Sequence, residues 1–116
     1  MPKLERLTIV LATWCPQCVP LSLDMVKEMS TELGVPHRVL DIDNPDEERL
    51  SDEIVRKYGD DCEDYIIPQV FGEFSGGSVK HIFTGFSEGT QVTKSRWESF
   101  FQSKYFEGLK SETESN

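Results

Sequence analysis

Basic residues are scarce in this chain. Twelve Lys and Arg stand against twenty-one Asp and Glu, a net charge of −9 over 116 residues. That balance argues against nucleic acid or an acidic membrane surface as a partner. Long apolar runs are scarce too. The opening residues Met1 to Arg6 are charged, and the apolar stretch that follows, Leu7 to Leu11, is too short for a secretory leader or a membrane span. Cysteine is limited to three residues. With neither leader nor span, the expected compartment is a reducing cytoplasm, where a cysteine pair is more often catalytic than structural. The length suits a single domain with one core.

What the chain does contain is unevenly placed. Residues 41 to 64 hold eleven acids and three bases, so nearly all the negative excess lies in one third of the sequence. A solvated helix face followed by an acidic loop accounts for it. Two of the three cysteines stand together in Ala12-Thr-Trp-Cys-Pro-Gln-Cys18. A β-branched run leads into this stretch and an amphipathic segment leaves it, which places the pair where a strand ends and a helix begins. Cys15 is expected at the helix N-cap with its sulfur exposed, near unpaired amides and the positive end of the dipole, both of which favour a thiolate. Cys18 lies one turn deeper, within reach of a mixed disulfide formed on Cys15. Pro16 suits the first helical position. This spacing serves thiol–disulfide exchange. Two plainer readings compete, inert structural cysteines and half of a zinc site. A zinc site needs four ligands, and Cys62, His37 and His81 do not stand at ligand-pair spacing, so no metal is expected.

In order along the chain, residues 7–11 read as a central strand. A helix is expected from Pro16 to Leu33 with an apolar stripe of Leu21, Met25, Val26, Met29 and Leu33, stopped by Gly34. Pro20 lies in its first turns, at the cost of at most one hydrogen bond. His37 to Ile42 is a second strand, parallel to the first. Asn44-Pro45-Asp-Glu-Glu48 is a complete helix start, and that helix should bury Leu50, Ile54 and Tyr58 before Gly59 ends it. An acidic loop with Cys62 follows, and then Ile66-Ile-Pro-Gln-Val-Phe71. Proline cannot occupy a central ladder, so Pro68 must open a strand, and the Ile67–Pro68 bond is a candidate for the cis isomer. Ser75-Gly-Gly-Ser78 joins strands at about 69–74 and 79–84 into a hairpin. A last helix, about Thr93 to Phe106, presents Trp97, Phe100, Phe101 and Tyr105 as a packed face rather than a ligand platform. Residues 107–116 read as a polar, frayed tail beyond a domain spanning 1–106.

The order βαβαββα, with Cys15-Pro-Gln-Cys18 after the first strand and Ile67-Pro68 before the third, resembles the thioredoxin and glutaredoxin superfamily over residues 4 to 106. Trp14, Asp41-Ile-Asp-Asn-Pro45 and Lys57-Tyr-Gly59 are similar to thioredoxin. The Cys-Pro-x-Cys form, Pro68-Gln-Val-Phe71 and the compact outline are similar to glutaredoxin. The chain thus resembles a small, glutaredoxin-like thioredoxin, and the resemblance implies a thioredoxin-like α/β fold whose four-stranded mixed sheet is flanked by helices.

That resemblance also implies an activity, reduction of protein disulfides without a cofactor. Cys15 attacks, Cys18 resolves, and an external reductant restores the dithiol. Trp14, Pro16, Gln17, Ile67, Pro68, Gly85 and Phe86 line the substrate site. Pro68 is cis and packs beside the dithiol, and the Ile67 backbone pairs with the main chain of a bound substrate. The implied partners are disulfide-containing proteins and a reductase or small thiol, the protein itself being a monomer. Two departures stand out. Ile9 occupies the place of a buried acid in thioredoxins, leaving water or another carboxylate to relay the Cys18 proton. Thr84-Gly-Phe-Ser-Glu88 has one glycine where glutaredoxins place two to hold glutathione. A glutathione-dependent glutaredoxin and an iron–sulfur cluster carrier are the alternatives.

Overall fold

A computed structural model describes residues 3–15, 17–59, 67–85 and 90–114, with the side chains of residue 17 and residues 111–114 excepted. The acidic loop with Cys62, together with Pro16, the Gln17 side chain and Phe86, lies outside the described residues.

Strand β1, Leu4–Leu11, is buried from Leu7 onward on both faces. A run so apolar has no side to offer to water, and it takes a central position. The sheet order is β2-β1-β3-β4. β2 (His37–Asp41) lies parallel to β1, with Leu7 opposite His37 and Leu11 opposite Asp41. β3 (Gln69–Phe74) lies antiparallel on the other side, and β4 (Val79–Thr84) closes the hairpin across Ser75–Gly77. The expected α/β architecture with a four-stranded mixed sheet is therefore present, with helices on both faces. α1 (Leu23–Leu33), α3 (Thr90–Phe101) and α4 (Lys104–Glu114) pack over Leu7, Ile9 and Leu11 through Val26, Met29, Trp97, Phe106 and Leu109. α2 (Pro45–Tyr58) covers Val10, Leu40 and Phe71 with Ile54 and Val55. No helix among the described residues is long and apolar enough to cross a membrane.

Local chemistry explains where the elements begin and stop. Asn44 caps α2 by accepting the Asp46 amide at 2.9 Å, with Pro45 at the first position, as its sequence dictates. Gly34 ends α1 in the left-handed region at φ 69°, where its amide turns back to Ser30 and Thr31.

Five expectations need correction. The helix after the dithiol does not run unbroken from Pro16. A wide turn, Gln17–Ser22, is interrupted at Val19 (φ −128°, ψ 123°), the Val19–Pro20 bond is cis, and α1 proper begins at Leu23. Proline removes its own amide, and it also pushes the preceding residue out of the helical region; the second effect decides here. Leu50 does not face inward. It is 45% exposed, whereas Ser51, Ile54 and Val55 are buried. At 100° per residue Leu50 stands roughly 90° from the centre of that face, on its rim. The last helix is two helices. The chain turns at Gln102–Ser103, the Phe106 amide donates to Ser103 Oγ at 3.3 Å, and α4 continues to Glu114. The stretch from 107 to 114, expected to fray, is thus helical and buries Leu109. Tyr105, expected in the core, is half-exposed, and its hydroxyl donates to the His81 carbonyl at 2.9 Å. Arg96 donates to the Thr84 carbonyl on the same outer strand, also at 2.9 Å.

On the α2 side of the sheet, Glu73 collects charge. Arg6 donates to both its carboxylate oxygens at 2.8 and 2.7 Å, Thr8 donates to it as well, and Arg38 stands 3.5 Å away. Burial alone would raise the Glu73 carboxyl, but the bonds from Arg6 and Thr8 and the nearby guanidinium charges outweigh it and hold the group below its ordinary value.

Two outcomes follow from this packing. Ile54→Ala should cost about 2–4 kcal/mol in denaturant unfolding and Leu50→Ala under about 0.5, because only the first leaves a cavity. Glu73 has a depressed folded-state pKa, so its contribution is complete above the unfolded value of 4.5 and is lost as pH falls through the folded one. Glu73→Gln should lower stability at pH 7 by roughly 1–2 kcal/mol and flatten the acid limb of a stability–pH curve below 4.5.

Candidate active site

The register of the sheet assembles one end of the molecule. Val10 pairs with Gln69, and Gln69 pairs with Thr84. The residues just past this row are therefore neighbours: the segment from Ala12 after β1, Ile67-Pro68 before β3, and Gly85 after β4. Both cysteines of the pair occur here as thiols. They belong to the core cluster that contains Leu11, Ala12, Ile9 and Trp97, and Ile67 packs against that cluster.

The thiols are more enclosed than their sequence position suggests. Cys15 was expected with an exposed sulfur, but the residue is only 4% exposed, and Cys18 is fully buried. The turn accounts for this. The Cys15 amide bonds back to Ala12 at 3.1 Å, and the Cys15 carbonyl receives the Cys18 and Val19 amides at 3.0 and 2.9 Å, folding the segment over the end of β1. The Cys15 carbonyl thus opens a turn, but the N-cap of α1 is Ser22 and not Cys15. No long dipole stands behind Cys15, because extended Val19 separates this turn from α1. Burial pushes the Cys18 thiol well above its ordinary value of 9.0, a hydrogen bond with Cys15 adds to the rise, and a bond with the Ala12 backbone opposes it. Ile9, fully buried in the same core cluster, supplies no proton acceptor.

Around the dithiol the surface is mixed. Trp14 is 67% exposed, and its indole donates to Asp43 at 2.6 Å, tying the cysteine loop to the entrance of α2. The Ile67–Pro68 bond is cis and Pro68 is buried. Gly85 donates its amide to the Pro68 carbonyl at 2.9 Å. A Cβ at Gly85 would come within 2.6 Å of Pro68 Cδ, so only glycine permits this approach.

No family model, curated protein or solved structure matches the chain. The chemistry therefore rests on the site alone.

Of the residues singled out in the sequence, the fold brings Cys15, Cys18, Ile67, Pro68 and Gly85 to one end of the sheet, with Trp14 at its margin. Pro16, the Gln17 side chain and Phe86 lie outside the described residues. The structure adds two side chains that sequence reasoning did not connect to the pair. Ser22, four residues beyond Cys18, is buried and accepts a hydrogen bond from the Trp97 indole at 2.9 Å. Trp97 reads correctly as a core aromatic, but no periodicity reveals its polar partner 75 positions away.

Two thiols in such a setting can pass electrons by disulfide exchange, and the deeper one does so only when its proton can leave. In the native protein, alkylation of Cys18 by limiting iodoacetamide should lag that of Cys15. Its rate should still be climbing at pH 9, since the thiol remains protonated beyond the ordinary range. Peptide mapping by mass spectrometry reads both sites, and unfolding in urea should remove the difference.

Proposed function

We propose that this chain is a thiol–disulfide oxidoreductase of thioredoxin-like fold that reduces disulfides in proteins through Cys15 and Cys18. The observation carrying this reading is the placement of two thiols in one core cluster, against which Ile67 packs just ahead of β3, with the Cys18 thiol hydrogen-bonded to Cys15. The Cys15 thiolate attacks one sulfur of a substrate disulfide, forming a mixed disulfide and releasing the other sulfur as a thiolate. Cys18 then loses its proton and attacks the Cys15 sulfur. The second substrate thiolate leaves, and a Cys15–Cys18 disulfide remains for an external thiol or reductase to reduce.

The electrostatics set the order of events. Burial is the larger cause that keeps Cys18 protonated, but its hydrogen bond with Cys15 and the Cys15 charge act in the same direction. Both disappear once Cys15 is bound in a mixed disulfide, so the resolving thiol ionises more readily when it is needed. Ile67 packs against the cluster that holds the thiols, and its backbone, just ahead of β3, is where a substrate strand would lie. Trp14 provides an exposed aromatic rim. The reading carries with it a cytoplasmic, monomeric protein whose partners are disulfide-bearing proteins.

Reduction of insulin disulfides, followed by turbidity with glutathione plus its reductase and separately with thioredoxin reductase, tests the proposal. The unsubstituted chain should turn over with at least one system. Cys15→Ser should lower the rate by at least about a hundredfold, and Cys18→Ser should accumulate mixed disulfides visible on non-reducing gels. Equal activity of Cys15→Ser and the parent chain would sink the assignment.

A further inference from the structure

The turn that carries Cys18 is not an extension of α1. Val19 is extended, and α1 begins only at Leu23. Inside the turn, the Cys18 and Val19 amides reach back to the Cys15 carbonyl. The far end of the turn is held from a different element. Trp97, on α3, donates its indole N–H to Ser22 Oγ at 2.9 Å, and both residues are fully buried.

Trp97 is in turn fixed by the rings around it. Phe83 stacks on it with centroids 3.8 Å apart at 21°, and Phe100 meets it edge-on at 5.7 Å and 87°. Phe83 stands two residues before Gly85, whose amide bonds the Pro68 carbonyl. One side chain thus connects the dithiol turn to the strand ends that carry Ile67-Pro68. An indole has a single donor, and a buried donor without an acceptor is costly, so the bond to Ser22 is one the fold must keep.

We propose that Trp97 is a positioning residue for the dithiol, its bond to Ser22 holding the turn in the form in which Cys15 and Cys18 are both thiols. The inference rests on the redox reading above. Forming a disulfide draws the two sulfurs to about 2.05 Å, and the turn that carries Cys18 ends at Ser22. Trp97 does not follow, because its rings are packed on β4 and α3. The bond is made in the dithiol form, so losing it favours the disulfide.

The test equilibrates the full-length chain, in a Cys62→Ser background, with mixtures of reduced and oxidised dithiothreitol. The protein exchanges two S–H bonds for one S–S bond, and its two electrons and two protons pass to oxidised dithiothreitol. Free thiols are counted after acid quenching. Trp97→Phe keeps a ring in the stack and removes the donor; it should shift the equilibrium constant towards the protein disulfide by about threefold. Ser22→Ala should shift it in the same direction, and the double variant no further than the larger single effect. A role confined to packing would leave the constant unchanged in Ser22→Ala. If Trp97→Phe does not fold, Ser22→Ala alone decides. An unmoved constant, or a shift towards the dithiol, overturns the inference. If the unsubstituted chain forms no Cys15–Cys18 disulfide at any ratio, the redox reading fails first and the inference falls with it.

Discussion

Burial of β1 on both faces is the constraint on which the rest of the structure depends. From Leu7 to Leu11 the strand is shielded above and below, and a strand so placed must have neighbours on each edge and helices on each side. Its parallel pairing with β2 sends the chain over one face, and its antiparallel pairing with β3 brings the hairpin back along the other edge. Because β3 runs against β1, the start of β3 and the end of β1 fall at the same end of the sheet. The dithiol and the Ile67-Pro68 bond meet there as a result of pairing direction, although about fifty residues separate them in sequence.

Much of this architecture was legible from residues. The apolar β1, the Asn44-Pro45 cap, the hairpin around Ser75–Gly77 and the strand opened by Pro68 each carry a local signal strong enough to survive tertiary packing. The misreadings share a cause, in that a local rule was applied to one residue while its neighbour decided the outcome. Pro20 costs the helix a hydrogen bond, but it is the steric demand it places on Val19 that breaks the chain there. The spacing of Leu50 from Ile54 points it inward, yet a face centred between Ser51, Ile54 and Val55 leaves it at the edge. Ser103 is a helix-capping residue in front of an apolar pair, and reading it so would have predicted α4 and the burial of Phe106 and Leu109.

The site was legible in its membership but not in its exposure. Sequence spacing places Cys15 at a helix start, and helix starts usually face water. Here the turn folds over the end of β1, and both sulfurs become part of the core. Reactivity in such a place is governed by what keeps the proton on Cys18 and by what holds the turn, and neither follows from a four-residue motif. The bond between Trp97 and Ser22 joins residues 75 positions apart, and only the packed fold reveals it.

The hydroxyl of Tyr105 and the guanidinium of Arg96 have a consequence beyond the domain itself. β4 is an outermost strand, and its outward carbonyls would otherwise form a template on which another extended chain could assemble. The carbonyls of His81 and Thr84 are already engaged by these two side chains. A visiting strand would have to displace both donors before its own amides could join the ladder. Helices that pack the interior thus also guard the rim, in addition to the charge that exposed Lys80 places on that outer strand.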